Sequence, residues 1–148
     1  MNPPAARIMG RCHCGNIELT FTTALRPEAL PLRSDTCSFC AKHGARTTSD
    51  PRGAVRFVVR DHDRLLRYRF ALETADFLVC RGCGVYVAAL LSTPSGSYAT
   101  LNANTFDCAP LLTQTVVPVS YDGETADQRI ARRRERWTPV LQSTGGVS

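Results

Sequence analysis

The sequence predicts a mainly β domain that ends in one helix, and three observations carry the prediction. Short apolar runs alternate with turn-forming residues along most of the chain. No long amphipathic segment occurs before residue 124, and no strand–helix–strand alternation that would build a doubly wound parallel sheet. Close cysteine pairs stand where these runs begin or end, which suits a metal clamp between strands. With 148 residues the chain fits one domain, expected to have its core over about 9–121.

Segment 17–21 (IELTF) alternates apolar and polar residues, as a half-buried strand does. Segment 55–60 (VRFVVR) is a second strand. Segment 65–70 (LLRYRF) is a third, with Leu66, Tyr68 and Phe70 on one face. Strand 77–80 leads into a cysteine pair and strand 85–91 leaves it, the latter being the longest apolar run. Segments 98–102 and 115–119 complete the set. Turn signals separate them, such as Asp50-Pro51-Arg52-Gly53 and Thr93-Pro94-Ser95-Gly96. The helix is expected over 124–137, started by Asp122-Gly123 and closed before Pro139. Residues 143–148 read as a frayed tail.

Seven cysteines are many for such a chain, and six fall in close pairs: Cys12/Cys14, Cys37/Cys40 and Cys80/Cys83. Close pairs in a reducing compartment read as metal ligands or redox centres. Cys12-His13-Cys14-Gly15 and Cys80-Arg81-Gly82-Cys83-Gly84 are tight turns followed by glycine, which lets the backbone fold back so that both sulfurs face one ion. Together, Cys12, Cys14, Cys80 and Cys83 make a tetrahedral thiolate set suited to one structural zinc. Cys37-Ser38-Phe39-Cys40 offers two ligands only. It reads as a redox motif, which needs a parallel strand–helix setting that the sequence does not display, or as a second, more weakly held zinc with Asp35 or His43 as a further ligand. Cys108 reads as a free, packed thiol.

The strings GRCHCG (10–15), CSFCAKHGA (37–45) and CRGCG (80–84) resemble the glutathione-dependent formaldehyde-activating family, which also contains centromere protein V. Segment 101–107 (LNANTFD) resembles that family's late strand and turn, and the likeness covers about residues 9–110. The resemblance implies a β-tent of small antiparallel sheets, with the structural zinc on Cys12, Cys14, Cys80 and Cys83. It implies a second zinc at a C-x-C-x-x-C motif, whose last two cysteines fall on Cys37 and Cys40 and whose first falls on Asp35. A carboxylate in place of a thiolate weakens zinc binding and leaves the ion more Lewis acidic. The implied activity is a carbon–sulfur lyase working in reverse, joining formaldehyde to glutathione, with Asp35, Cys37 and Cys40 as catalytic residues. Lys42, His43 or Arg46 would meet the substrate carboxylates by nearness in sequence.

A non-catalytic zinc module that binds a thiol or a partner protein stays open beside the enzyme. The formal net charge of +5 gathers near the C-terminus, at Arg129, Arg132, Arg133, Arg134 and Arg136. Arg129, Arg132, Arg133 and Arg136 follow i, i+3, i+4, i+7 spacing. That stripe reads as a solvated helix face or as partners of Glu124 and Asp127, with Ile130, Trp137 and Ala126 turned inward. It is weak support for nucleic acid, which needs base-contacting or stacking groups as well. No segment approaches the ~20 apolar residues of a membrane span, and the first residues lack a signal peptide's apolar core. The expectation is a cytoplasmic protein with glutathione or a similar thiol as its small-molecule partner.

Overall fold

A computed structural model of the chain describes residues 5–142 and 147. Eleven strands occur in these residues: β1 (Ala6–Arg11), β2 (Ile17–Thr23), β3 (Leu32–Asp35), β4 (Thr47–Thr48), β5 (Ala54–Val59), β6 (Leu65–Tyr68), β7 (Asp76–Cys80), β8 (Tyr86–Thr93), β9 (Gly96–Asn102), β10 (Val116–Val119) and β11 (Thr138–Pro139). Two α-helices join them, α1 (Ser38–His43) and α2 (Ala126–Arg136). The fold is mainly β with antiparallel sheets and a C-terminal helix, as the sequence predicts.

The first sheet has the order β1-β2-β5. Its period-2 pattern puts Ile17, Leu19, Phe21 and Thr23 of β2 and Val55, Phe57 and Val59 of β5 on the buried side. The second sheet runs β10-β3-β4-β9-β8-β7-β6, with β11 added beside β9. All of its pairings are antiparallel except β3 with β10. Its central strand β8 is buried on both faces, which is why 85–91 reads as a continuous apolar run rather than an alternating one. A register shift at Leu78/Val79 leaves Val87 without an opposite partner, so Val87 and Ala88 both face the space between the sheets.

The second sheet therefore separates two apolar clusters. Leu78, Cys80, Val87 and Leu90 point between the sheets toward Phe21 and Phe57. Phe77, Tyr86, Ala89 and Leu91 point to the opposite face, which Cys40, Phe39, Ile130 and Trp137 cover. Phe39 is the hub of that outer layer, its ring centroid 4.6–5.7 Å from those of His43, Tyr68, Phe70, Phe77 and Tyr86.

Several expectations change. Helix α2 begins at Ala126, after Thr125, and not from Asp122-Gly123. The Thr125 hydroxyl accepts from the Gln128 amide (3.2 Å) while Gln128 accepts from the Thr125 amide (3.0 Å), a reciprocal cap that satisfies two otherwise orphan donors. Strand β6 ends at Tyr68 because the chain turns through Ala71 and Glu73 at φ +54° and +53°. Phe70 still stacks near Tyr68, at 5.5 Å. The expected tail over 143–148 lies outside the described residues except for Val147, which is 1% exposed and packs in the inter-sheet core.

Candidate metal centres

Two groups of metal-ligating side chains come together among the described residues, each with its ligand atoms within 4.8 Å of one another: Cys12, Cys14, Cys80 and Cys83, and Asp35, Cys37 and Cys40. Every ligand expected from the sequence lies in one of these groups except His43, whose ring packs on Phe39 and Tyr86 instead.

The four-cysteine centre joins the two sheets. Cys12 follows β1 of the first sheet and Cys80 ends β7 of the second. In the first turn the Cys12 amide donates to the Ile17 carbonyl (2.9 Å), and the Ile17 amide points at Cys12 Sγ (3.3 Å). In the second, the Gly84 amide donates to the Cys80 carbonyl at 2.7 Å. Gly15 and Gly84 take φ +84° and +80°, the left-handed conformation that a side chain resists. Cys14 Sγ lies 3.8 Å from Cys12 Sγ and 3.6 Å from Cys80 Sγ. A tetrahedral ion with sulfurs at about 2.3 Å sets them roughly 3.8 Å apart, so the sulfurs fit such an ion. Burial pushes the Cys12 thiol up to about 12. Burial also opposes ionisation of Cys83, but amide hydrogen bonds from Cys14 and Val85 and the Cys80 and Cys12 thiols outweigh it and pull it down to about 6. Such a cluster holds several negative sulfurs only when a cation compensates them.

The second centre is built by a helix start that the sequence did not announce. The Cys37 amide donates to Asp35 Oδ1 (2.9 Å), turning the chain into α1. Cys37 is the N-cap residue, its Sγ accepting from the Cys40 amide at 3.4 Å, and Gly44 closes the helix at φ +58°. Six residues are too few for an apolar stripe, so periodicity could not reveal this helix. The helix start that a redox motif requires is thus present, but the return strand β4 is antiparallel to β3, and the parallel strand–helix setting is not. Hydrogen bonding from the Cys40 thiol, against the effect of burial, pulls Cys37 down to about 7; the same pairing and burial push Cys40 well up.

Asp35 and Cys37 border a cavity of about 130 Å³, closed on the far side by Phe70, Thr74, Phe77, Tyr121, Arg129, Arg132 and Arg133. Asp35 and Cys40 also border a shallower groove with Arg46. Arg46 is already tied to Asn104 Oδ1 (2.6 Å) and the Leu112 carbonyl (3.0 Å), and Lys42 is solvated. His43 lines a separate cleft with Cys12 and His13.

Of the arginine stripe of α2 only Arg136 is solvated. Arg129 and Arg132 pair with Glu124, one of the two partners expected, and Arg132 stacks 3.4 Å from the Tyr121 ring centre. Arg133 is 8% exposed, donates to Thr74 Oγ1 (2.7 Å) and lies 4.7 Å from the Trp137 ring centre. Ile130 and Trp137 face inward as expected, whereas Ala126 is exposed. No local signal places Thr74, Tyr121 and these arginines beside Cys37, because the contact spans most of the chain. Cys108 belongs to neither group and packs at the edge of the core.

No family model matches the chain, and no curated protein does. The chain is similar to a crystal structure of a Rhodobacter sphaeroides protein, with 28% sequence identity over 74% of this chain and 97% of that one, and a TM-score of 0.54. No helix among the described residues is long and apolar enough to cross a membrane.

Proposed function

We propose that this chain is a cytoplasmic zinc protein that joins a thiol to formaldehyde or a related small aldehyde, a carbon–sulfur lyase reaction run in reverse. One zinc would be held by Cys12, Cys14, Cys80 and Cys83, and a second by Asp35, Cys37 and Cys40. The observation that carries the reading is the second centre: three ligand atoms converge within 4.8 Å, and two of their residues, Asp35 and Cys37, border a cavity, so a fourth ligand can arrive from outside. Structural zinc sites are closed by four protein ligands, whereas catalytic ones keep a position open.

Zinc in that place supplies Lewis acidity, favouring an ionised thiol and a polarised carbonyl. The chain's own residues do the rest. Asp35, fixed by the Cys37 amide, with Cys37 at the N-cap of α1 and Cys40 within it, would set where a substrate sulfur comes to lie. Phe39, Phe77 and Tyr86 form the dry side of the centre, which strengthens electrostatic interactions there. As the new carbon–sulfur bond forms, the carbonyl π bond breaks and the thiol proton ends on the carbonyl oxygen, giving a hydroxymethyl thioether. Nothing is oxidised or reduced, so no further reactant is needed.

The test is exchange spectroscopy on formaldehyde mixed with glutathione or a simpler thiol, with and without zinc-loaded protein. Acceleration above the spontaneous rate, lost in Cys37→Ser, supports the enzyme. Thiol binding without acceleration points instead to a non-catalytic module that carries a thiol or a partner.

A further inference from the structure

The cavity beside Asp35 and Cys37 carries an excess of cation. Glu124 is one carboxylate facing two arginines, Arg129 and Arg132. Arg133 has no carboxylate partner among the described residues. It is 8% exposed, and its Nε is buried without any hydrogen-bond partner. A buried guanidinium in this state is costly unless an anion compensates it. Asp35 also lines the cavity, but as a metal ligand its charge is committed to the ion; Asp122 is solvated, where its field is screened.

We propose that this cavity takes the carboxylate of a small thiol whose sulfur sits at Asp35, Cys37 and Cys40. The inference rests on the thiol-binding reading of that centre and narrows its substrate class to a thiol that bears a carboxylate a few bonds from the sulfur. Size supports it: about 130 Å³ is close to the volume of a cavity that takes a benzene-sized group, enough for a carboxymethyl group. Geometry supports it as well, since one sulfur ligand, Cys37, and three guanidinium groups line one cavity. The groove on the other side of the centre offers Arg46, whose donors are already engaged by Asn104 and Leu112. Guanidinium presents paired donors that match a carboxylate.

The experiment compares 3-mercaptopropionate with 3-mercaptopropionamide, which has the same thiol and shape without the charge. Each is titrated into protein loaded with cobalt(II), and the visible spectrum reports the sulfur reaching the metal. The acid should bind about tenfold or more tighter than the amide. Arg133→Gln should erase most of that difference, and Arg133→Lys should keep part of it. Equal binding of acid and amide by the unsubstituted protein overturns the inference, leaves the thiol-binding reading intact and makes Arg133 a counter-charge to the centre. A spectrum that neither thiol moves overturns the thiol-binding reading, and the inference with it. Should Arg133→Gln fail to fold, the acid–amide comparison in the unsubstituted protein decides the question alone.

Discussion

Replacing Cys80 by serine tests whether the four-cysteine centre holds the sheets together. Cys80 is 0% exposed and ends β7 of the second sheet, while Cys12, its counterpart at 1%, follows β1 of the first. An ion bound by all four sulfurs therefore crosslinks the two layers. Apparent binding of structural zinc starts near ~10 kcal/mol, so an even share for one of four thiolates is about 2.5 kcal/mol. In a chain of this length each kcal/mol moves Tm by about 2–4 °C, giving an expected fall of roughly 5–10 °C at fixed free zinc. Calorimetry with parallel metal analysis measures both quantities. Cys108→Ser is the control, since Cys108 packs at the core's edge outside both centres; its cost should stay below about 1 kcal/mol. Stripping zinc from the unsubstituted protein should destabilise it more than Cys80→Ser, since the whole of the ion's binding energy is then lost. The reasoning is refuted if Cys80→Ser keeps its full metal content and melts within the error of the parent.

Other consequences can be checked with the same preparations. A mild chelator followed colorimetrically should empty the Asp35 centre first; Asp35→Cys should slow that release and Asp35→Ala should speed it, and equal rates would remove Asp35 from the ligands. Hydrogen bonds from Arg132, with Arg129 adding to them, hold the Glu124 carboxyl below its ordinary 4.5. Its stabilising effect is therefore complete above that ordinary value and is lost as pH falls through the depressed one; Glu124→Gln should lower Tm at neutral pH and flatten the acid limb of the stability curve. A methyl group on Gly53 would lie 2.5 Å from the Thr22 carbonyl oxygen, so Gly53→Ala should cost about 1–3 kcal/mol in a denaturation series.

Side-chain period by itself located most of the sheet. Ile17, Leu19 and Phe21 alternate with polar residues because one side of β2 faces the core, and the unbroken run around Ala88 belongs to a strand buried on both faces. Glycine after Cys14 and after Cys83 marked the metal turns, because their left-handed backbone excludes most other residues. The strands β3, β4 and β11, of two to four residues, left no comparable pattern, for their residues are placed by neighbours elsewhere in the chain; β1 buries only Ile8 and Gly10, too little for an alternation to show. Helix α1 is set by a hydrogen bond from the Cys37 amide to the Asp35 carboxylate and not by periodicity. What only the tertiary structure decided is the surroundings of the Asp35 centre. A stripe of arginines at helical spacing reads in one dimension as a solvated face or as partners of Glu124 and Asp127. It turns inward because Trp137 and Ile130 pack on the outer face of the second sheet and carry Arg133 into the same cavity as Cys37. Local sequence records which residues can bind a metal or an anion; only packing brings sites nearly a hundred residues apart to a common cavity, since that proximity is a property of the closed chain.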